Sequence, residues 1–196
     1  MRKKSHICLA NYLINTIDNQ MLEEHKKAFV VGNVLPDCKP SFVTKRHTFD
    51  DTFDMVKGYI ERCSKEAFSF DDIKTAYYTR LGEITHYVAD YFTFPHNTHF
   101  DGSLSEHCIY EKYLKHSLKS YVRSENCEVF YPTKKIESVG ELCKFIEEKH
   151  NEYMQEKSTV ERDCRYIVAM CTVVVKTIIE LIIKTVSDFT SMAAVA

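Results

Sequence analysis

Two histidine–carboxylate pairs with the same spacing stand out in the stretch from Gly82 to Glu111. His86 precedes Asp90 by four residues, and His107 precedes Glu111 by four residues. Residues four apart lie one above the other on a helix, so each pair offers an imidazole nitrogen and a carboxylate oxygen to one point. Such nitrogen and oxygen ligands suit zinc, and paired helices in a bundle can hold a multinuclear metal site.

A single pair of this kind is usually a solvent-exposed contact on a helix surface. Here the two pairs lie within thirty residues of each other, and further histidines, His96 and His99, lie between them. The first pair is surrounded by large apolar residues, which predicts a buried helix. Ionisable groups in an apolar setting must be paired or bound to metal, so metal ligation is the favoured interpretation.

Three candidate ligands lie earlier in the chain. Asp37 stands between Pro36 and a second proline in a loop-like stretch, residues 32–48, which His47 closes. Loops held on a rigid scaffold often carry function, although Pro-Asp is also a common turn dipeptide. His6 falls in the first turn of a predicted helix, where, taken alone, it would be a solvated residue near the terminus.

The composition predicts an all-α fold. The chain has 196 residues with only five Gly and four Pro, and apolar residues recur at helical spacing along most of it. Ser5 is predicted to cap the first helix. The helix that carries His86 and Asp90 is predicted to start at the acidic pair at 71–72 and to end at Pro95. Gly102-Ser103 is the predicted restart. The other helices are expected near 20–31, 49–64, 138–156 and 159–188, in one domain over residues 1–196.

The last predicted helix is apolar enough to suggest a membrane span. Lys176, Glu180 and Lys184 interrupt it with a spacing of four, which favours a core helix with one polar stripe over a transmembrane segment.

The charge and the cysteine content indicate which partners and which cellular compartment to expect. The net charge is −2 with both signs interspersed, so no nucleic-acid partner is expected. None of the eight cysteines forms a Cys-x2-Cys pair, and no signal peptide is evident, so we expect a cytoplasmic protein with free thiols.

At this point the pattern resembles the zinc-dependent phospholipase C family. The family motif is a helical His-Tyr-x-x-Asp, then a Pro and a His, then His-x3-Glu, preceded by a Pro-Asp, a His about a dozen residues later and an early helical His. The matching residues run from His6 to Glu111 and are eight in number: His6, Asp37, His47, His86, Asp90, His96, His107 and Glu111.

The resemblance implies two or three zinc ions in a multi-helix bundle. The first set would be Asp37, His47, His86 and Asp90, and the second His96, His107 and Glu111. The third set would be His6, Asp90 as a bridge, and the backbone amine and carbonyl of Met1. Met1 replaces the family's terminal Trp, and His99 is a rival ligand to His96. We expect no counterpart here of the lipid-binding β-sandwich that the family's secreted toxins carry.

The implied activity is hydrolysis of a phosphodiester or phospholipid by zinc-activated water, with Asp37 as the general base. Two alternatives stay open. Related single-strand-specific zinc nucleases share the fold and usually end the motif with His-x3-Asp, whereas Glu111 ends it here. The other is a metal-stabilised helical protein without turnover.

Overall fold

The described residues form eight α-helices and no β-strand, which confirms the predicted all-α fold. A computed structural model of the protein describes residues 1–39, 46–65, 75–124, 127 and 129–193. The helices are α1 (Lys3–Thr16), α2 (Gln20–Glu24), α3 (Lys26–Gly32), α4 (Phe49–Lys65), α5 (Thr75–Tyr91), α6 (Leu104–Tyr121), α7 (Val139–Gln155) and α8 (Val160–Ala193). Two short 3-10 helices each contain one candidate ligand. Leu35–Cys38 contains Asp37, and Phe94–His96 contains His96.

Helix α5 lies at the centre of the bundle. Every residue from Leu81 to Thr93 is buried, because α3, α4 and α8 pack around it. A helix covered on all sides has no face turned to solvent, so its polar side chains, which include Glu83, His86 and Asp90, are buried with the apolar ones. His86 and Asp90 therefore project from the most protected element of the fold.

Two glycines bring α3 and α5 into backbone contact. A Cβ at Gly32 would lie 2.0 Å from the Thr79 carbonyl oxygen, and one at Gly82 would lie 2.3 Å from the Phe29 oxygen. Neither position has room for a side chain. The close approach brings the chain that follows α3 against His86.

Helix α8 is long and apolar enough, by length and composition, to cross a membrane over Val160–Asp188. In its most apolar window 83% of the residues are buried inside the protein. The core helices of soluble proteins have the same property. The assignment of α8 to the core rather than to a membrane stays a prediction.

The start of α1 differs from the sequence prediction. Helix α1 begins at Lys3 with Arg2 as its cap, and Ser5 is a buried residue inside the first turn. The helix starts early because the amine of Met1 is fixed in the protein interior by an ion pair with Asp90. The helix predicted near 20–31 is also divided. His25 leaves helical geometry between α2 and α3, and its ring stacks on Tyr78 of α5 with centroids 4.8 Å apart.

The connection from α5 to α6 was mostly predicted. Helix α5 ends at Tyr91, four residues before Pro95, and the proline lies inside the following 3-10 helix, Phe94–His96, instead of ending α5 directly. Ser103 caps α6 in a reciprocal pair with Glu106. The predicted start of α5 at residues 71–72 and the second proline of the 32–48 stretch, Pro40, lie outside the described residues.

Candidate metal centre

Asp90 is the central group of the candidate site, and its two oxygens face different neighbours. It is fully buried on the inner face of α5. Its Oδ1 atom pairs with the Met1 amine and lies 3.4 Å from His6 Nε2. A carboxylate oxygen shared in this way links the N-terminal segment to α5.

The other oxygen of Asp90 faces three histidines. Oδ2 lies 3.3 Å from His47 Nδ1, 3.3 Å from His86 Nε2 and 3.7 Å from His96 Nδ1. These residues come from α5 and from the segments before α4 and after α5. The carboxylate thus stands between two sets of neighbours, as a bridging ligand would.

His86 is oriented by a backbone carbonyl. Its Nδ1–H donates to the Asn33 carbonyl oxygen at 2.9 Å, because a carbonyl can only accept. Its Nε2 is then the lone-pair nitrogen, and it lies 3.0 Å from His47 Nδ1 and 3.6 Å from Asp37 Oδ1. A hydrogen bond on the far nitrogen of a histidine is the usual way to fix a metal ligand.

His96, His107 and Glu111 form the more accessible part of the cluster. Glu111 Oε1 lies 3.3 Å from His96 Nε2 and 3.1 Å from His107 Nε2. The three side chains keep 11%, 26% and 13% of their surface exposed, whereas those of His86 and Asp90 keep none. Solvent therefore reaches the cluster from this side.

The Met1 amine lies between the buried and the accessible parts. Besides its pairing with Asp90, the amine nitrogen lies 3.0 Å from His96 Nε2 and 3.3 Å from Glu111 Oε1. Burial lowers its pKa, but Asp90 and Glu111 raise it by more, so the amine keeps its proton above the usual range. In this arrangement it is a positive charge held among carboxylates.

The carboxylates and histidines shift one another's pKa in opposite directions. Burial would raise the pKa of Asp90, but His96, the Met1 amine and His86 together hold it well below its usual value. Burial raises the pKa of Asp37, with His86 opposing the change. The lowered pKa leaves negative charge on Asp90, as cation binding requires.

His6 gives the clearest sign that a ligand belongs here. It is fully buried and stacks on His86 with ring centroids 3.9 Å apart. Neither ring nitrogen makes a hydrogen bond within the described part of the chain, although Nε2 lies 3.4 Å from Asp90 Oδ1. Burial and the neighbouring His86 lower its pKa to about 3, so the ring is neutral and can coordinate. Buried polar atoms are rarely left without partners, so the residues fit a bound metal.

All eight predicted ligands come together in three groups whose ligand atoms lie within 4.8 Å of one another. The groups are His6, Asp37 and His86; His47, His86 and Asp90; and His96, His107 and Glu111. The last agrees with the second set implied by the resemblance. His6 is grouped with Asp37 and His86, and it also approaches the same oxygen of Asp90 as the Met1 amine, as the third implied set expects.

His99, the rival ligand, belongs to none of these three groups. Its Nε2 lies 3.1 Å from Ser158 Oγ, and its ring lies beside Phe94.

Asp163 of α8 is a supporting residue that the sequence reasoning missed. It is fully buried, and its Oδ2 accepts hydrogen bonds from the Phe94 backbone N–H at 2.8 Å and the Tyr110 hydroxyl at 2.9 Å. It thereby fixes the turn that carries His96 and the residue next to Glu111. Its residue type gave no signal of this role, because an acidic residue is ordinary in the first turn of a helix.

Asn97 and His150 form a second supporting contact next to His96. The Asn97 amide donates to the Tyr91 and Thr93 carbonyls, so its oxygen accepts from His150 Nε2–H at 2.9 Å. Burial, with the charge of His99, lowers the pKa of His150 to about 4, so the ring is neutral at neutral pH. Nothing in the spacing of these two residues predicts the contact.

Comparison with known proteins gives one match. A sequence profile of the family described as zinc-dependent phospholipase C matches residues 5–160, which is most of the chain and includes all eight candidate ligands. No curated protein and no solved structure matches the chain. With its all-helical fold and its clustered histidines and carboxylates, the chain belongs to the zinc-dependent phospholipase C family.

Proposed function

We propose that this protein is a zinc-dependent phosphodiester hydrolase of the phospholipase C type. The observation that carries the proposal is the position of Asp90, with one oxygen toward Met1 and His6 and the other toward the histidines of α5 and its flanking segments. A structural zinc site is closed, tetrahedral and usually rich in cysteine. This cluster is rich in carboxylates and partly open, which favours catalysis.

The proposed ligands are the eight clustered side chains, with the Met1 carbonyl and the Met1 amine as a further pair, and the amine would have to release its proton when zinc binds. They would hold two or three zinc ions, with Asp90 shared between them. Bound zinc lowers the pKa of water toward about 7 and neutralises charge on phosphate oxygens. The orphaned nitrogens of His6 and the facing nitrogens of His47 and His86 support this assignment.

Asp37 is the proposed general base. It lies on the 3-10 helix after α3, with its Oδ1 atom 3.6 Å from His86 Nε2 and 3.8 Å from His47 Nδ1. Burial raises its pKa, which brings a carboxylate closer to the range where it accepts a proton effectively near neutral pH. It would take the proton from a water attacking phosphorus, and no covalent intermediate with the protein is needed.

The substrate would enter beside His96, His107 and Glu111. These are the exposed members of the cluster, so a phosphodiester can approach them from solvent. The family supports a phospholipid as substrate, and cleavage would release diacylglycerol and the phosphorylated head group.

Hydrolysis of bis-p-nitrophenyl phosphate tests the proposal. Zinc-loaded protein is expected to turn over this diester, and a chelator is expected to abolish the turnover until zinc is restored. His107→Ala should remove most of the activity, whereas the matched His99→Ala should keep it, because His99 lies outside the cluster.

Absence of turnover in fully zinc-loaded protein would contradict the proposal and favour a metal-stabilised protein without activity. Comparison of phosphatidylcholine with single-stranded DNA as substrates then separates lipase from nuclease activity. We expect hydrolysis of the lipid.

A further inference from the structure

Helices α1 and α6 concentrate positive charge next to the candidate site. With their flanking residues they carry seven cationic side chains, in a chain whose net charge is −2. These are Arg2, Lys3, Lys4, Lys112, Lys115, Lys119 and Arg123. Both carboxylates inside these helices are engaged elsewhere, since Glu111 lies in the cluster and Glu106 caps α6, so Asp18 and Asp101 in the flanking residues are the exposed carboxylates that offset the seven cations. The face that these two helices form is therefore strongly cationic.

The two helices run side by side in the same direction. The Arg2 guanidinium donates to the Cys108 carbonyl oxygen at 3.0 Å near their first turns. Beyond the other end, the Cys127 thiol contacts the Tyr12 hydroxyl at 3.3 Å. Both helices thus begin at the metal cluster, to which α1 contributes His6 and α6 contributes His107.

Exposed apolar side chains lie among these cations. Leu104 is 79% exposed at the start of α6, and Ile7 is 38% exposed on α1. Leu104 precedes His107 by three residues and therefore lies beside it on the helix surface. His107 is more exposed than His96, the other histidine in the accessible part of the cluster. Leu104 therefore lies at the rim of the site.

We propose that the face formed by α1 and the first half of α6 docks on an anionic lipid bilayer. Its defining residues are Lys3, Lys4, Ile7, Leu104 and Lys112. Basic side chains next to exposed apolar ones are the combination that binds such surfaces, because the cations meet the head groups while the apolar side chains enter the acyl boundary. A nucleic acid would engage the cations but leave Leu104 and Ile7 in water.

The docked orientation would set the open side of the cluster toward the membrane. A lipid head group could then reach His107 without leaving the bilayer entirely. This role in presenting substrate rests on the proposed function, whereas the docking itself does not require turnover.

Co-sedimentation with vesicles tests the docking. Zinc-loaded protein is expected to sediment with phosphatidylcholine vesicles that contain phosphatidylserine, much less with phosphatidylcholine alone, and less again at high salt. Each basic residue near an anionic surface is worth about 1 kcal/mol, so the Lys3→Ala/Lys4→Ala variant should bind about 30-fold more weakly. Loss of the apolar contact in Leu104→Ser should weaken binding about tenfold.

Matched variants outside the face serve as controls. Lys134→Ala/Lys135→Ala removes another exposed lysine pair, and Ile183→Ser removes another half-exposed apolar side chain. Both should bind vesicles like the wild type. The Lys3→Ala/Lys4→Ala variant and both control variants should hydrolyse bis-p-nitrophenyl phosphate at the wild-type rate, because none of their changed residues lies in the cluster or at its rim.

Three results would overturn the docking. These are equal binding to neutral and anionic vesicles, equal weakening by the control variants, and binding to single-stranded DNA that is as tight as vesicle binding and unaffected by Leu104→Ser. Vesicle binding without turnover would contradict the proposed function and leave the docking intact. Turnover of the soluble diester without vesicle binding would contradict the docking and leave the proposed function intact.

Discussion

Replacement of Asp163 by Asn tests how the fold holds the accessible part of the cluster. Asp163 Oδ2 accepts from the Phe94 N–H and the Tyr110 hydroxyl, and Oδ1 accepts from the Tyr153 hydroxyl at 2.8 Å. The Arg162 guanidinium lies 3.4 Å from Oδ1. An amide has the same shape but presents an NH2 group in place of one of the two oxygens.

The size of the effect follows from which donors can adapt. The tyrosine hydroxyls can rotate and accept from the new NH2, but the Phe94 N–H and the Arg162 guanidinium cannot. The least harmful orientation of the new amide keeps its oxygen bonded to the Phe94 N–H and turns its NH2 toward the Arg162 guanidinium. Arg162 is buried and charged, and it retains its bonds to the Tyr153 and Glu156 carbonyls. Loss of one buried charged contact costs about 2–3 kcal/mol.

The assay is urea denaturation of the zinc-depleted protein, followed by zinc titration of the folded protein. Asp163→Asn should lower the free energy of unfolding by about 2–3 kcal/mol and weaken zinc binding. Tyr110→Phe and Tyr153→Phe, which each remove one hydroxyl donor, should lower it by about 1 kcal/mol. An Asp163→Asn protein as stable as the wild type would refute this reasoning about Asp163.

Three further predictions concern packing, pH and the N-terminus. Gly82→Ala should destabilise the protein by about 3 kcal/mol, since the new Cβ would lie 2.3 Å from a backbone oxygen of α3, whereas Gly58→Ala, with open space around it, should stabilise it by about 0.5–1 kcal/mol in thermal unfolding. Burial lowers the pKa of His150 from 6.5 to about 4, so as the pH falls the unfolded chain takes up a proton on this ring before the folded protein does, and the folded state loses stability. Between pH 7 and pH 5 the free energy of unfolding should therefore fall by about 2 kcal/mol more in the wild type than in His150→Gln. Equal falls in the two proteins would contradict the lowered pKa of His150. Protein that starts at Met1 should bind one more zinc ion than protein with residues fused before Met1, as counted by native mass spectrometry; equal counts would exclude the amine as a ligand.

The fold was predictable where local signals agree with packing. Ser103 marked the start of α6, and the apolar run around His86 marked a buried helix, because capping and burial leave direct traces in residue type. The break at His25 was not predictable. It depends on a stacking contact with Tyr78, more than fifty residues away, and no local signal encodes that distance.

The clustering of the candidate ligands was predictable from spacing and from the family pattern, but the supporting contacts were not. The separation of four residues on one helix identifies His86 and Asp90 as a candidate ligand pair. Asn33 acts through its backbone carbonyl, so its residue type carries no sign of its role. Asp163 resembles an ordinary acidic residue of a first helical turn, and only the structure shows its bond to the Phe94 backbone.

Metal content measured by mass spectrometry on untagged protein, purified without chelator, tests the central claim most directly. The account predicts at least two zinc ions per chain in the wild type and one fewer in Glu111→Ala, because Glu111 joins His96 and His107 in the accessible group. Less than one zinc ion per chain in the wild type, or an unchanged count in Glu111→Ala, would contradict it.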